Sequence, residues 1–305
     1  MEKSYMIYGV GFLLSYIFFK FRKGLVLGKN KKSLRNKVVV ITGASSGLGE
    51  GLAHEFYKEG CLVVLCARRR QELDRVRNDL LSLPSSEQRH PPVIVPMDLN
   101  DTEDLPNVVK KILSITERID ILINNGGISH RGSVIDTKLD VDIRIMTVNY
   151  FGSVALTKAV LPYMVKEKSG KIVFISSVQG LISIPGRSSY AASKHALQAF
   201  ADSLRAEVSH HNIGVTIISP GYVQTQLSMN ALTATGQTYG KMDATTENGY
   251  TCEYASKEML KAIVENKNEV VLAPPTARIG IFLRHFIPSL YFLAMVKRAK
   301  KLMVK

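Results

Sequence analysis

From residue 37 onward the chain alternates apolar, β-branched runs with charged stretches of helical length, and this alternation restricts its fold more than any other feature. The runs "KVVVITG", "CLVVLCA", "PPVIVPMDL", "IDILINNGG", "KIVFISS" and "GVTIISPG" place hydrophobic residues at consecutive positions rather than at every second one. A strand with one wet face alternates, whereas a strand covered on both faces need not, so such runs belong to a parallel sheet with helices on either side. The intervening segments, "QELDRVRNDLL" among them, are long enough for the crossover helices that parallel neighbours require. "NEVVLAP" near residue 270 supplies a further strand that closes the sheet. The sequence predicts an α/β fold: a doubly wound parallel sheet of Rossmann type, in a single domain over residues 34–275.

The charge of +14 invites a nucleic-acid reading until it is located along the chain. Residues 1–33 hold seven Lys/Arg and one acid, and residues 278–305 hold seven and no acid, which leaves +1 for the body. A nearly neutral body without a basic, aromatic-interleaved stripe excludes a duplex or single-strand binder. Basic ends beside apolar segments suit a membrane surface. Residues 5–19, "YMIYGVGFLLSYIFF", meet Lys20, Arg22 and Lys23 instead of a small-residue cleavage site, so residues 1–33 are expected to form an uncleaved transmembrane anchor with a basic flank. Cations are denser on its C-terminal side, which keeps that side cytosolic. The expected location is a membrane, that of the endoplasmic reticulum or else the peroxisome, with the body in the cytosol. Residues 276–305 form a third segment. Its run "IGIFLRHFIPSLYFLAMV" is interrupted by Arg284, His285 and Pro288, so a helix there ends or kinks near the proline. Phe282, Phe286, Tyr291 and Phe292, followed by Lys297, Arg298, Lys300 and Lys301, fit a segment lying in the membrane interface, with a subunit-interface helix as the alternative. Cys61, Cys66 and Cys252 make neither a disulfide framework nor a metal-ligand pattern, and no metal is expected.

In a sheet of this kind ligands bind at the C-terminal ends of the strands. The first strand runs into "TGASSGLG", residues 42–49, where Gly43, Gly47 and Gly49 leave room for a tight turn and a close phosphate, and Ser45, Ser46 and Leu48 complete the turn. A plain strand-to-helix turn is the alternative. The second strand ends at Ala67 and continues into Arg68, Arg69 and Arg70, where a carboxylate would hold the ribose hydroxyls of NAD. Guanidinium groups there suit a 2′-phosphate instead, so the expected cofactor is NADP(H), with Arg68 as the contact. Later strand ends supply Asp98 in "MDLN", Asn125 in "NNGG", Asn149 in "VNYFG", Ser177 in "ISSVQG" and Thr225 in "PGYVQT". Finally "SYAASKHAL" places Tyr190 and Lys194 on one face of a helix.

The order and spacing of these motifs over residues 36–275 resemble the short-chain dehydrogenase/reductase family. The resemblance implies a catalytic set of Asn149, Ser177, Tyr190 and Lys194. Tyr190 gives or takes the proton, Lys194 lowers the phenol's pKa and bonds the nicotinamide ribose, Ser177 orients the carbonyl, and Asn149 helps hold a relay water. Asp98 is implied near the adenine, Asn125 at the cofactor turn, and Thr225 at the nicotinamide carboxamide. Gly126 departs from the family's usual alanine, a change expected to loosen the turn.

The expected activity is NADPH-dependent reduction of a lipophilic ketone or aldehyde of lipid, steroid or retinoid type at a membrane. The rivals are alcohol oxidation with NADP+ and a membrane-tethered NADP(H)-binding scaffold without turnover. Arg187 is a candidate for an anionic head group on the substrate, with a salt bridge at the surface or at a dimer interface as the alternative. Residues 226–250 are expected to form a mobile lid over the substrate. Helices over 141–168 and 189–211 would pair two copies in a homodimer.

Overall fold

Each of the apolar runs is a strand. In the computed structural model, which describes residues 34–84 and 90–303, β1 (Val38–Thr42), β2 (Leu62–Ala67), β3 (Val93–Pro96), β4 (Ile121–Asn124), β6 (Gly170–Ile175), β7 (Ile213–Pro220) and β9 (Glu269–Leu272) form one sheet. Its order is β3-β2-β1-β4-β6-β7-β9, and every pairing is parallel. The order reverses direction between β1 and β4, the switch point beside which a ligand crevice opens. Two residues each from β5 (His130–Arg131) and β8 (Leu232–Thr233) pair in a separate parallel ribbon.

The consecutive apolar positions are explained by burial on both faces. Val39 and Ile41 of β1 point to one side, where α1 (Gly47–Lys58), α2 (Arg70–Leu81) and α8 (Cys252–Val264) contribute Leu52, Phe56, Leu73, Met259 and Ile263. Val38 and Val40 point to the other, against Ile112 of α3 (Leu105–Thr116), Leu156 and Val160 of α5 (Gly152–Glu167), and Leu197 and Leu204 of α6 (Ser188–Val208). With both faces dry, the apolar pattern alone does not fix the register, and the shape fit of the two packed layers must do so.

The sequence predicts one unbroken helix over 141–168. The structure has α4 (Leu139–Met146), a π-helical turn at Thr147–Phe151 and then α5. The widened turn sits where a Cβ on Gly152 would lie 2.4 Å from the Leu99 carbonyl oxygen, so the helix passes unusually close to another backbone. Such turns recur at functional sites, and this one carries Asn149.

Residues 226–250 are tied down at several points. Leu232 and Thr233 pair with the β5 ribbon, and a one-turn helix α7 (Ala244–Glu247) follows. The C-terminal segment also packs into the unit spanning Leu34–Lys305. It forms α9 (Pro275–Phe286) and α10 (Pro288–Met303), which break at Pro288. Tyr291, grouped in sequence with the interfacial aromatics, is instead 3% exposed, and its hydroxyl donates to the Ser183 carbonyl. Helical geometry is the reason: one residue is 100° of rotation, so Tyr291 faces the body and Phe292 faces away. The anchor expected over residues 5–19 lies outside the described residues. Among those described, no helix is long and apolar enough to cross a membrane.

Candidate active site

The turn after β1 is built for a close ligand. Gly43 and Gly47 adopt φ of +66° and +60°, a region that side chains avoid, and a Cβ on Gly49 would lie 2.3 Å from the Gly43 carbonyl oxygen. Gly49 therefore packs the helix onto the turn and does not itself line the cavity, whereas Gly43, Ser45, Ser46, Gly47 and Leu48 do. Ser46 is the N-cap of α1, and its side chain makes no capping bond. The donors of the first helical turn, with the positive end of the helix dipole, face the cavity as an anion site. Asn125 braces the turn from the next strand: its Nδ2 donates to the Thr42 carbonyl at 2.9 Å, and Thr42 Oγ1 accepts from the Asn125 and Gly126 amides at 3.0 and 2.8 Å. Gly126 does not loosen this turn, because Leu99 Cδ1 lies 2.6 Å from where a Cβ would stand and fills the space.

At the far end of this cradle Arg68 and Arg69 both line the cavity. Arg69 Nη2 donates to Ser45 Oγ at 3.2 Å, which places a guanidinium and a hydroxyl side by side. Arg70 turns outward towards Asp74. Asp98 is the one acid among the lining residues; it is not a helix cap, since its Oδ1 accepts from the Asn100 amide at 2.9 Å in a local turn. Thr225 lies against Gly47, with its Cγ2 3.1 Å from the position of a Cβ there.

The cavity, about 890 Å³, continues from this cradle to the catalytic candidates. Ser177, Tyr190 and Lys194 line it, while Asn149 is 0% exposed and acts from behind. Asn149 Oδ1 accepts from the Ile128 amide at 2.8 Å, and its Nδ2 donates to the Ile128 carbonyl and to Ser193 Oγ, both at 2.9 Å. Ser193, not singled out in the sequence, donates in turn to the Tyr190 carbonyl at 2.8 Å, so Asn149 fixes the helix that carries the phenol. Ser177 Oγ accepts from the Gln179 amide at 3.1 Å and lies near enough to the Tyr190 phenol to lower its pKa. Its only other contact is 3.5 Å from the Pro220 carbonyl, so the hydroxyl is free to turn towards a ligand.

The net direction of the Tyr190 pKa is upward, because burial is the largest influence on it. Ser177 and the charges of Arg187 and Arg131 offset it in part. Lys194 lies 5.8 Å from the Tyr190 ring centroid and donates to the Ile175 carbonyl at 2.9 Å. Burial pushes its own pKa down to about 8. The physical reason is desolvation, which disfavours a phenolate and an ammonium alike. The site holds a neutral phenol beside a lysine that is cationic at neutral pH.

Arg187 lines the same cavity, and its Nη2 lies 2.8 Å from Asp243 Oδ2. The same oxygen accepts from Arg131 Nε and Nη2 at 2.9 and 2.6 Å and from Ser228 Oγ at 3.3 Å. Burial raises the Asp243 carboxyl, but the Arg131 bond and the two positive charges outweigh it and hold the carboxyl below its usual range. This cluster latches residues 226–250 to the N-terminus of α6. Asp243→Ala would leave two guanidinium groups, each 11% exposed, without their shared counter-charge. Because those groups are largely buried, we expect a loss of about 3 kcal/mol, read as a fall in Tm of roughly 5–10 °C. Asp243→Asn, which keeps an acceptor, should lose less. Arg131 could have been suspected from its place just past a strand end in "NNGGISHRG". Asp243 carries no sequence signal, because only the path of the segment brings it here.

Comparison with known proteins agrees with this geometry. The short chain dehydrogenase family model matches residues 37–236. A mosquito (Anopheles gambiae) protein named dehydrogenase/reductase SDR family protein 7-like is 58% identical over 274 residues, 90% of this chain and 86% of its own length. The bovine (Bos taurus) dehydrogenase/reductase SDR family member 7B is 49% identical over 269 residues, 88% of this chain and 83% of its own. Among solved structures, a short-chain dehydrogenase from Streptomyces avermitilis superposes with a TM-score of 0.72 at 27% identity, covering 87% of this chain and 97% of that one. A short chain dehydrogenase/reductase from Burkholderia phymatum, solved in complex with NAD, shares the fold at a TM-score of 0.74 and 20% identity, covering 85% and 96%. The chain is a member of the short-chain dehydrogenase/reductase family, an oxidoreductase.

Proposed function

We propose that this oxidoreductase uses NADPH to reduce a lipophilic ketone or aldehyde, of lipid, steroid or retinoid type, at a membrane. The observation that carries the reading is that Ser177, Tyr190 and Lys194 together line a cavity whose far wall is apolar, with the Lys194 ammonium 5.8 Å from the Tyr190 ring centroid. The glycine turn, the uncapped start of α1 and the Arg69–Ser45 pair fit a phosphorylated dinucleotide. When bound, the cofactor supplies the hydride that a carbonyl carbon accepts. Ser177 donates to the carbonyl oxygen and polarises it. Tyr190 gives its proton to the developing alkoxide, and the Lys194 ammonium stabilises the phenolate left behind. Asn149 and Ser193 hold the helix that presents both groups.

For NADPH over NADH, the support is two arginines and a serine where a 2′-phosphate would lie, with Asp98 as the only acid in the lining. The contact we propose is Arg69 with Ser45, and Arg68 more peripherally. A charge-assisted bond is worth about 1.5–3 kcal/mol. Arg69→Ala should therefore lower kcat/KM with NADPH by roughly 10- to 100-fold and leave NADH within a factor of about three. Arg68→Ala should do less. Equal losses with both cofactors would remove the phosphate role.

The pH profile follows from the same geometry. Reduction needs Tyr190 protonated and Lys194 charged. Burial brings Lys194 to about 8 while raising Tyr190, so kcat/KM for reduction should be flat near neutrality and fall as pH rises through about 8.

Membrane action is supported by the acid-free, basic C-terminal segment and the exposed Phe282, Phe286 and Phe292. We place the protein on the cytosolic side of the endoplasmic reticulum, or else of the peroxisome. Pairing of two copies through the α4–α6 region is supported by Ile143 and Phe151, 54% and 52% exposed. The test of function is turnover of a panel of long-chain ketones and aldehydes in micelles with each cofactor. NADPH-dependent reduction of apolar carbonyls is expected. NADPH binding without turnover of any carbonyl would favour the scaffold reading instead.

A further inference from the structure

The two C-terminal helices have an inner and an outer face of different character. The inner face closes the cavity: Ala277, Gly280 and Leu283 of α9 line it with Tyr291, Met295 and Arg298 of α10. Tyr291 packs with Val178, the residue after Ser177, and with Ile182, and its hydroxyl bonds the Ser183 carbonyl. The wall of the cavity beside the catalytic serine is therefore made by this hairpin.

Among the described residues, nothing lies over the outer face. Ile279, Phe282 and Phe286 project from α9 at three- and four-residue spacing, and Leu290, Phe292 and Leu293 continue the surface on α10; all are about half exposed or more, Phe286 73%. Phe282 and Phe286 rings lie 4.8 Å apart, and the Arg284 guanidinium lies 5.1 Å from the Phe292 centroid, so the two helices present one continuous patch. Patches of this extent are rare on isolated soluble proteins. Arg284 stacks on it, Lys297 and Lys300 follow on α10, and residues 278–305 contain no acid. A second copy meeting this face in a two-fold dimer would set cation against cation. An anionic lipid surface meets both halves of the pattern, with acyl chains for the aromatic residues and head groups for the cations.

We propose that the α9–α10 hairpin docks on an anionic bilayer and that, since its other face is the wall of the substrate cavity, substrate passes from the lipid to Tyr190 along it. The membrane part of the proposed function is thereby given a place and a route, and the inference rests on that reading.

The chain has no tryptophan, so Phe286→Trp makes a full-length protein with a single reporter on this face. Tyr254→Trp, on α8, is the control. With vesicles of phosphatidylcholine and phosphatidylserine carrying brominated acyl chains, emission of the 286 reporter should fall by more than half and that of the 254 reporter by less than a tenth. The signal is local, so it does not depend on what residues 5–19 do. Lys297→Glu with Lys300→Glu should restore most of the emission. For the route, Phe286→Asp should raise KM about tenfold for a long-chain ketone delivered in these vesicles and leave kcat/KM for a short, water-soluble ketone unchanged. An unquenched 286 reporter on vesicle-bound protein would overturn docking, as would an emission shift that depends on protein concentration without lipid, which identifies a second copy. Equal KM changes for both ketones would overturn the route. Reduction in detergent micelles separates the failures: if it persists while quenching is absent, the hairpin proposal falls and the reductase reading stands.

Discussion

Tyr190→Phe should lower kcat for carbonyl reduction by roughly 10³-fold, about 4 kcal/mol of barrier, with NADPH affinity within a factor of about two. The substitution removes one oxygen from a ring that is already 6% exposed, so the packing around it is kept. Ser177 retains the Gln179 amide at 3.1 Å, so the donor to the carbonyl is still in position. What disappears is the proton that the alkoxide needs. Titration of NADPH by fluorescence alongside single-turnover rates checks both halves. A variant that retains more than a tenth of the wild-type rate would give the proton to another group.

Lys194→Met should produce a loss of similar size in activity together with a gain in stability, a combination that a structural lysine would not show. Lys194 is 4% exposed, and its ammonium donates to the Ile175 carbonyl. Burial lowers its pKa from 10.5 to about 8, so holding it charged at neutral pH costs on the order of 3 kcal/mol. The sign follows from proton binding: between pH about 8 and 10.5 the unfolded chain keeps a proton that the folded protein has released. Wild-type stability should therefore rise across that window, and the deficit is present in full below it. Methionine removes the deficit, offset in part by the lost hydrogen bond, so Tm should rise by a few degrees and its dependence on pH over that window should flatten. Activity should fall by roughly 10³-fold or more, because the phenolate formed at Tyr190 no longer has a cation beside it. A lower Tm would mean that the lysine is held by interactions stronger than its burial.

The sheet was legible because its strands are dry on both faces: Val38 to Ile41 are all buried, and consecutive burial writes consecutive apolar residues. The glycine turn and the Tyr190–Lys194 pair were legible because their chemistry needs fixed residue types at fixed spacing. Three features were not. The π-helical turn at Asn149 lies beside the close approach of Gly152 to the Leu99 backbone, some fifty residues away in sequence. Asp243 reaches Arg131 and Arg187 only because two residues of β8 pair with two of β5, too short a ribbon to mark the sequence. Tyr291 and Phe292 read as one aromatic cluster, although neighbours on a helix face different ways and only one of them meets the body. In each case the deciding contact is between segments distant along the chain, where local pattern carries no information.

The most direct test is to follow the transferred atom. The full-length protein, loaded with NADPH carrying deuterium at the transferable position, is mixed under single-turnover conditions with a long-chain ketone in micelles, and the products are weighed. One molecule of alcohol per NADPH oxidised, with deuterium on the carbinol carbon, is the expected result, and Tyr190→Phe should yield almost none while binding the cofactor. NADPH that stays reduced across ketones and aldehydes despite intact binding, or a Tyr190→Phe protein that transfers deuterium at the wild-type rate, would contradict it.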